Sequence, residues 1–290
     1  MPMEDKRKRV FTREIEELVD HMTLMDDDLM SRVFDQNIPA TEILLEAILG
    51  EKVEVISTKG QWDMKNAIVG GRNIRLDIMA RSRNGTYFDC EVQRSDRGAV
   101  PRRARFHASM LDTSMLKAGE DFSMLNDSYV IFITETDYFG ESEPLYQVER
   151  MRKDGKAFGD GSHIIYVNGK YQGNDKLGQL LSDFHKKDLS GFHYPELEQG
   201  VRQFKEGMEG RALMCEAVEQ YAKSYAEKYA EKYAEGKYDS GKLEGKLEGK
   251  LEGKLESIRA VMQNLQISAE EAMDTLSIPK DEQDKYKAMI

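Results

Sequence analysis

The sequence predicts an α/β fold, one αβ domain of ordinary size followed by a helical tail, and three observations carry that expectation. Residues 72–93, RNIRLDIMARSRNGTYFDCEVQ, hold two alternating apolar/polar runs around an Asn84-Gly85 turn signal, as a β-hairpin requires. Residues 128–134, SYVIFIT, form an almost unbroken apolar run of strand length, separated from the hairpin by a helical stretch that opens near Pro101. A strand reached through a helix usually runs parallel to the one before it, so the sheet is expected to be mixed. Beyond Pro195 the composition shifts to Lys, Glu, Ala, Tyr and Gly in a four-residue repeat, which marks the tail.

Taken in order, residues 1–20 carry KRKR and then acids with only a weak helical pattern, and KRKR reads as a solvated end. Residues 22–34, MTLMDDDLMSRVF, have apolar positions at helical spacing, with the Asp run as its cap. Three successive side chains do not converge on a helix, so capping is preferred to metal binding for Asp26, Asp27 and Asp28. Residues 39–50, PATEILLEAILG, open with Pro near the first helical position and close with Gly. Ile43, Leu44, Ala47 and Ile48 share one face of this helix. Glu42 and Glu46 share another stripe and matter to function only if the helix packs across the hairpin. Residues 53–57 read as a short strand, and Gly60-Gln61-Trp62 and Gly70-Gly71 as parts of the connection that follows.

In the hairpin Ile74, Leu76 and Ile78 alternate with Arg75, Asp77 and Met79, while Phe88, Cys90 and Val92 alternate with Tyr87, Asp89, Glu91 and Gln93. A helix of about four turns is expected from Pro101 to Gly119. Residues 163–167 read as a further strand and 176–184 as a short helix. The organisation expected is a domain over 1–195, a repeat region over 196–256 and a small helical domain over 257–290.

In the repeat, Tyr221, Tyr225, Tyr229 and Tyr233 lead four-residue units, and GKLE occurs four times over 241–256. Such a period drifts by roughly 40° per unit on an α-helix, so no stripe stays on one side. The repeat reads as a helical spacer without chemistry of its own. Residues 257–290 recover amphipathic spacing, with Ile258, Val261, Met262 and Leu265 on one helix, Ser268 capping a second that buries Ala269, Ala272, Met273 and Leu276, and Pro279 opening a third. A minidomain this small buries little alone, and homo-oligomerisation through these helices is the natural remedy.

Charge narrows the function. The chain of 290 residues carries a formal charge of -11, which argues against general coating of nucleic acid, yet residues 72–105 hold nine Arg against four acids. A polyanion such as DNA would be drawn there, and Arg94, Arg102, Arg103 and Arg105 are the candidate contacts. Cys90 and Cys215 follow no disulfide framework, and Cys90 reads as a core residue. No apolar run reaches the roughly 18 residues a membrane helix needs, and a cytoplasmic location is expected. The five histidines show no zinc-like spacing, and His107 reads as a helix-surface or packing residue.

The chemistry is expected at Asp77 and Glu91. A hard divalent cation takes oxygen ligands, and two carboxylates on adjacent strands supply part of an Mg²⁺ shell, with Gln93 two residues on to orient water. The bland alternative is an exposed polar sheet face. Parity decides whether the pair can meet. A two-residue turn at Asn84-Gly85 puts Asp77 opposite Val92, on the wrong face, whereas a three-residue loop Arg83-Asn84-Gly85 pairs Ser82 with Thr86 and Asp77 with Glu91. The second loop is expected, with Gly85 at positive φ.

The string LDIMARSRNGTYFDCEVQRSDRGAVPRRARFHASMLD, followed by LKAGEDF and SYVIFITETDYFG, resembles the PD-(D/E)xK nuclease family transposases, also called the Rpn family of recombination-promoting nucleases. The resemblance runs over about residues 26–209. It implies a restriction-endonuclease-like mixed sheet with flanking helices in αβββαβ order, and Mg²⁺-dependent DNA cleavage associated with recombination or transposition. The family's acidic, metal-holding pair falls on Asp77 and Glu91 and its third motif position on Gln93. Glu42 or Glu46 stands for the acid that the wider superfamily carries on its first helix. The wider motif has Lys where this chain has Gln93, and the missing charge can come from Arg94 or Arg103. The competing class is a catalytically inactive DNA-binding or oligomerisation protein that keeps the fold.

Overall fold

The computed structural model describes residues 13–66, 68, 70–94, 98–265, 268–276 and 278–290, with the backbone alone for residues 225–251, 264, 265 and 281. The KRKR stretch, Asp96, Arg97, and the side chains of Tyr225, Tyr229, Tyr233 and most of the GKLE repeat therefore lie outside the described residues. The chain forms two units, Met1–Gln220 and Tyr221–Ile290.

The first unit is built on a six-stranded mixed sheet: β1 (Val55–Met64), β2 (Ile74–Ser82), β3 (Tyr87–Gln93), β4 (Ser128–Thr134), β5 (Leu145–Val148) and β6 (Ser162–Asn168), in the order β1-β2-β3-β4-β6-β5. β1, β2 and β3 are antiparallel neighbours, β3, β4 and β6 run parallel, and β5 pairs antiparallel to β6. The parallel β3 and β4 are joined through α4 (Pro101–Met115), as a crossover requires. Before the sheet come α1 (Arg13–His21), α2 (Asp27–Phe34) and α3 (Ile38–Leu49). After it come α5 (Lys176–Phe184), α6 (Pro195–Lys205) and the first residues of α7 (Met208–Leu265), whose remainder belongs to the second unit. This is a restriction-endonuclease-like α/β fold with a helical extension.

Local chemistry sets the helix starts. The Asn37 side chain accepts from Ala40 N at the head of α3, with Pro39 in its first turn, and Asp175 caps α5 through Gly178 N. Pro101 opens α4 after an extended Val100. That helix ends at Met115 rather than Gly119, because Leu116 turns extended, with φ -108° and ψ 140°. β1 is longer than residues 53–57: Gly60-Gln61-Trp62 lie inside it, with Gly60 opposite Ile78 and Trp62 opposite Leu76. Gly60 N is anchored by the Asp35 carboxylate and Gln61 by Asp28, tertiary bonds that hold the strand to the α2 region. β5 is a short edge strand with no strong alternation in sequence, and the sequence does not predict it.

Two apolar cores result. On one, Ile78, Phe88, Cys90, Val92, Ile131 and Ile133 pack against α2, α3 and α5 through Phe34, Leu44, Leu45 and Phe184. On the other, Val130, Phe132 and Tyr166 lie under Ala104, Ala108 and Leu111 of α4. Ile74 and Leu76 join this second core, not the core of Ile78, which corrects the expectation of one continuous apolar face on β2. The ladder between β2 and β3 ends at Ile78 opposite Cys90, whereas β2 goes on pairing with β1 as far as Ile74. Beyond that point β2 therefore follows β1 alone.

In the second unit α8 (Ala269–Thr275) starts at a complete capping box of Ser268 and Glu271, and α9 (Lys280–Lys287) follows Pro279. Ile258, Ala272, Met273, Ile278 and Tyr286 form its small core. Leu276, expected inside, is 37% exposed, because it is the residue that terminates α8. Among the described residues no helix is long and apolar enough to cross a membrane.

Candidate active site

The site grows out of the turn. Ser82 N donates to Thr86 O at 3.0 Å, enclosing a three-residue loop of Arg83, Asn84 and Gly85, with Gly85 at φ +96°. A side chain there would be strained, and an added Cβ would also meet the Asn126 amide. From this loop the register runs Arg81 opposite Tyr87 down to Ile78 opposite Cys90, where the ladder ends with Asp77 and Glu91 as the next residues on the two strands. At that pair side chains replace the ladder. Asp77 N donates to Glu91 Oε1 at 3.0 Å, and Val92 N donates to Asp77 Oδ2 at 3.1 Å, so each carboxylate is fixed by the backbone of the opposite strand. The parity that permits a shared site is the one found.

The polar face of β3 is not exposed. α4 covers it: Asp89 and Glu91 are fully buried, and His107 of α4 is 2% exposed. Arg103, one turn before His107 on α4, donates from Nη2 to Glu91 Oε2 at 2.7 Å, from Nη1 to Gln93 Oε1 at 3.3 Å and Gly98 O at 3.1 Å, and from Nε to His107 Nε2 at 3.2 Å. His107 Nδ1 lies 2.7 Å from Asp89 Oδ2. A Cβ on Gly98 would stand 1.7 Å from Gln93 Oε1, so any other residue there would make that amide shift.

Burial of so many acids shifts their protonation. Burial first, then the Glu91 and Asp27 charges, pushes Asp77 up to about 8. Burial and then the Asp89 charge push Glu91 up to about 8, against the pull of His107 and Arg103. Asp89 is raised by burial, and among the described residues its Oδ1 has no hydrogen-bond partner. His107 is held below the usual imidazole range, first by burial, with Arg103 adding to the effect. The group is a nest of carboxylates short of positive charge.

Of the residues singled out from sequence, Asp77, Glu91, Gln93 and Arg103 are brought together. Glu42 is not: its carboxylate accepts from Val55 N at 3.0 Å, at the end of β1 that faces Ser82. Asp77 is five residues from Ser82 along β2, roughly 16 Å at the rise of a strand. Glu46 is ion-paired with Lys176 of α5. The acid whose charge reaches Asp77 from the helical layer is instead Asp27, in the first turn of α2, where the Asp run was expected only to cap the helix. The three side chains do diverge, Asp26 to Arg94 at 2.9 Å and Asp28 to Gln61, and that divergence is what leaves Asp27 for the site. Asp26 is the residue before α2, but its side chain makes no capping bond to the helix.

The arginines divide likewise. Arg75, Arg83, Arg94 and Arg103 are each ion-paired with an acid. Arg102 and Arg105 are exposed on α4 and make no ion pair among the described residues. His107, read as a surface or packing residue, is a buried hydrogen-bonding one. It lies four residues after Arg103 on α4, and Asp89 two residues before Glu91 on β3, but nothing in that spacing says that the two meet.

Residues 31–172 match the family described as PD-(D/E)XK nuclease family transposase. Over that stretch the chain is similar to this family. The match takes in the hairpin, α4, β4 and β6, hence every part of the site except Asp27, and the similarity supports a nuclease-type function. Neither the curated proteins nor the solved structures gave a match to the chain.

Nucleases of this class usually use divalent metals, and the donor set suits a hard one. Asp77 and Glu91 are neighbouring carboxyl groups whose charged forms are disfavoured by burial and by nearby acids, the condition a dication relieves. A second donor group, Asp89, Glu91 and His107, has its atoms within 4.8 Å of one another, but the Arg103 guanidinium already bonds both Glu91 and His107 there.

Proposed function

We propose that this protein is a Mg²⁺-dependent DNA endonuclease that hydrolyses phosphodiester bonds in recombination or transposition. The observation that carries the reading is the meeting of Asp77 and Glu91 across the hairpin, each carboxylate locked to the opposite backbone. Asp77 and Glu91 would hold the cation, with Asp27 adding negative charge nearby. When bound, a divalent cation supplies Lewis acidity to a phosphodiester and lowers the pKa of water.

The chain's own groups do the rest. Among the described residues Arg103 commits four of its five N–H donors, and its side chain stays 35% exposed, leaving one N–H to meet a phosphate oxygen. It supplies the positive charge that Gln93 lacks; Arg94 spends its charge on Asp26. With its Oε1 taken by Arg103, Gln93 has its amide N–H groups for water or phosphate. Arg102 and Arg105 on the exposed side of α4 would hold the DNA backbone. The small core of the second unit suits assembly of like chains, so homo-oligomerisation through the C-terminal helices belongs to the same proposal.

Supercoiled plasmid incubated with Mg²⁺ or with EDTA, beside Asp77→Asn, tests the reading. Cleavage in Mg²⁺ alone, lost in the variant, is expected. Undiminished cleavage by Asp77→Asn combined with Glu91→Gln would overturn it, and DNA binding without any cleavage by the unaltered protein would favour the inactive, binding-only class.

A further inference from the structure

We propose that His107 and Asp89 are a positioning pair for Arg103, fixing its guanidinium against Glu91 and Gln93 so that one edge faces the substrate phosphate. The proposal rests on the nuclease reading of the same site. Its first support is the direction of the hydrogen bonds. An arginine Nε–H can only donate, so the His107 Nε2 that lies 3.2 Å from Arg103 Nε must present a lone pair. The ring is then neutral, its single proton sits on Nδ1, and that proton is donated to Asp89 Oδ2 at 2.7 Å. Partners on both sides select one tautomer.

Burial is the second support. Asp89 and His107 are almost completely sealed from solvent, and among the described residues Asp89 Oδ1 has no partner. A site needing only volume between α4 and β3 would be filled better by apolar side chains, since a buried, half-satisfied carboxyl group opposes folding. The third is the floor beneath the network. Phe132 of β4 lies under both groups, its ring centroid 6.1 Å from that of His107 and 5.9 Å from the Arg103 guanidinium carbon. Arg103 is thus gripped from Glu91, Gln93, Gly98 and His107 at once. A lysine on β3 would reach a phosphate along its own strand, whereas a cation lent from a helix needs its approach fixed by another residue of that helix.

Two measurements test this. In single-turnover cleavage with Mg²⁺, His107→Phe, which keeps a ring on Phe132 but removes both nitrogens, should slow the step at least tenfold. DNA affinity measured in Ca²⁺ and Mn²⁺ affinity should each stay within about twofold of the unaltered protein. Asp89→Leu should cause a similar loss, and Asp89→Asn, whose carbonyl still accepts from Nδ1, should recover most of the rate. Independently of cleavage, long-range ¹H–¹⁵N spectra of the unaltered full chain should show His107 neutral with its proton on Nδ1, a preference lost in Arg103→Leu. A proton on Nε2, tautomers in free exchange, or a His107→Phe protein that cleaves at the normal rate would overturn the pair. So would Mn²⁺ binding that survives Asp77→Asn and disappears in His107→Phe, which would make Asp89, Glu91 and His107 a cation site. Absence of cleavage by the unaltered protein would count against the nuclease reading, and the ¹⁵N spectra would still decide the hydrogen-bond arrangement.

Discussion

β3 has two buried faces made of alternate residues of one heptapeptide. Phe88, Cys90 and Val92 enter the apolar core under α2, α3 and α5; Asp89, Glu91 and Gln93 lie under α4 against Arg103 and His107. Asp89 and Glu91 are as closed to water as Phe88, Cys90 and Val92, yet burial does opposite work on the two sets. For Phe88 removal from water stabilises the fold. For Asp89 and Glu91 it raises the free energy of the charged form, and the fold tolerates this through Arg103, His107 and retained protons. Stability sits on one face and reactivity on the other, separated by one residue of register.

Substitutions should separate the two faces. Phe88→Ala, which empties a buried position stacked on Tyr129 at 5.3 Å, should lower the unfolding free energy by about 3–5 kcal/mol in urea titrations. Asp77→Asn should leave the urea midpoint near or above the original value while cleavage falls to background. Equal loss of stability in both variants would erase the distinction.

Much of this division was legible in the sequence. Alternation from Tyr87 to Gln93 assigned every β3 residue to its face, and the parity of a loop ending in Gly85 put Asp77 opposite Glu91. Local signals also marked β4 and α5, whose bounds match the apolar run and the helical pattern. What could not be read depends on contacts distant in sequence. Gly60 to Trp62 look like a turn but are held in β1 by β2, Asp35 and Asp28. Glu42 and Asp27 are both acids on early helices, and only the packing of α2 and α3 decides which one approaches Asp77. No sequence pattern announces that His107 reaches Asp89, because helix and strand meet there at a register set by α4 as a whole.

A smaller perturbation sharpens the reactive face. Gly98→Ala places a methyl group where Gln93 Oε1 lies and should slow cleavage roughly 10- to 100-fold through displacement of the amide and of Arg103, with Mn²⁺ affinity little changed. Single-turnover rates beside metal titrations check this.

The acids also predict how stability follows pH. Asp77 and Glu91 have folded pKa values of about 8, above their ordinary 3.8 and 4.5, so the native state binds more protons than the unfolded state between those limits. Their stabilising contribution is complete below about pH 4 and is lost as pH rises through about 8. His107, held below 6.5, acts with the opposite sign at lower pH, so the clean window is pH 7 to 8.5. In EDTA the urea midpoint should fall across that window, and Glu91→Gln should flatten the fall. A midpoint that rises with pH would contradict the assignment.

The smallest effect belongs to the outer face of α4. Replacing Arg102 and Arg105 by Gln should weaken DNA binding alike for all sequences and reduce the slope of log affinity against log salt by about 1 for each phosphate that is no longer neutralised. An unchanged slope would make these arginines bystanders.

Calorimetric titration of Mn²⁺ at pH 7, in two buffers of different ionisation enthalpy, decides whether Asp77 and Glu91 together hold a divalent cation. Saturable binding with net proton release is expected, since the cation must displace protons from carboxyl groups raised to about 8. Both the binding and the proton release should vanish in Asp77→Asn combined with Glu91→Gln. Mn²⁺ binding of equal affinity in that double variant, or binding without proton release in the unaltered protein, would contradict the account.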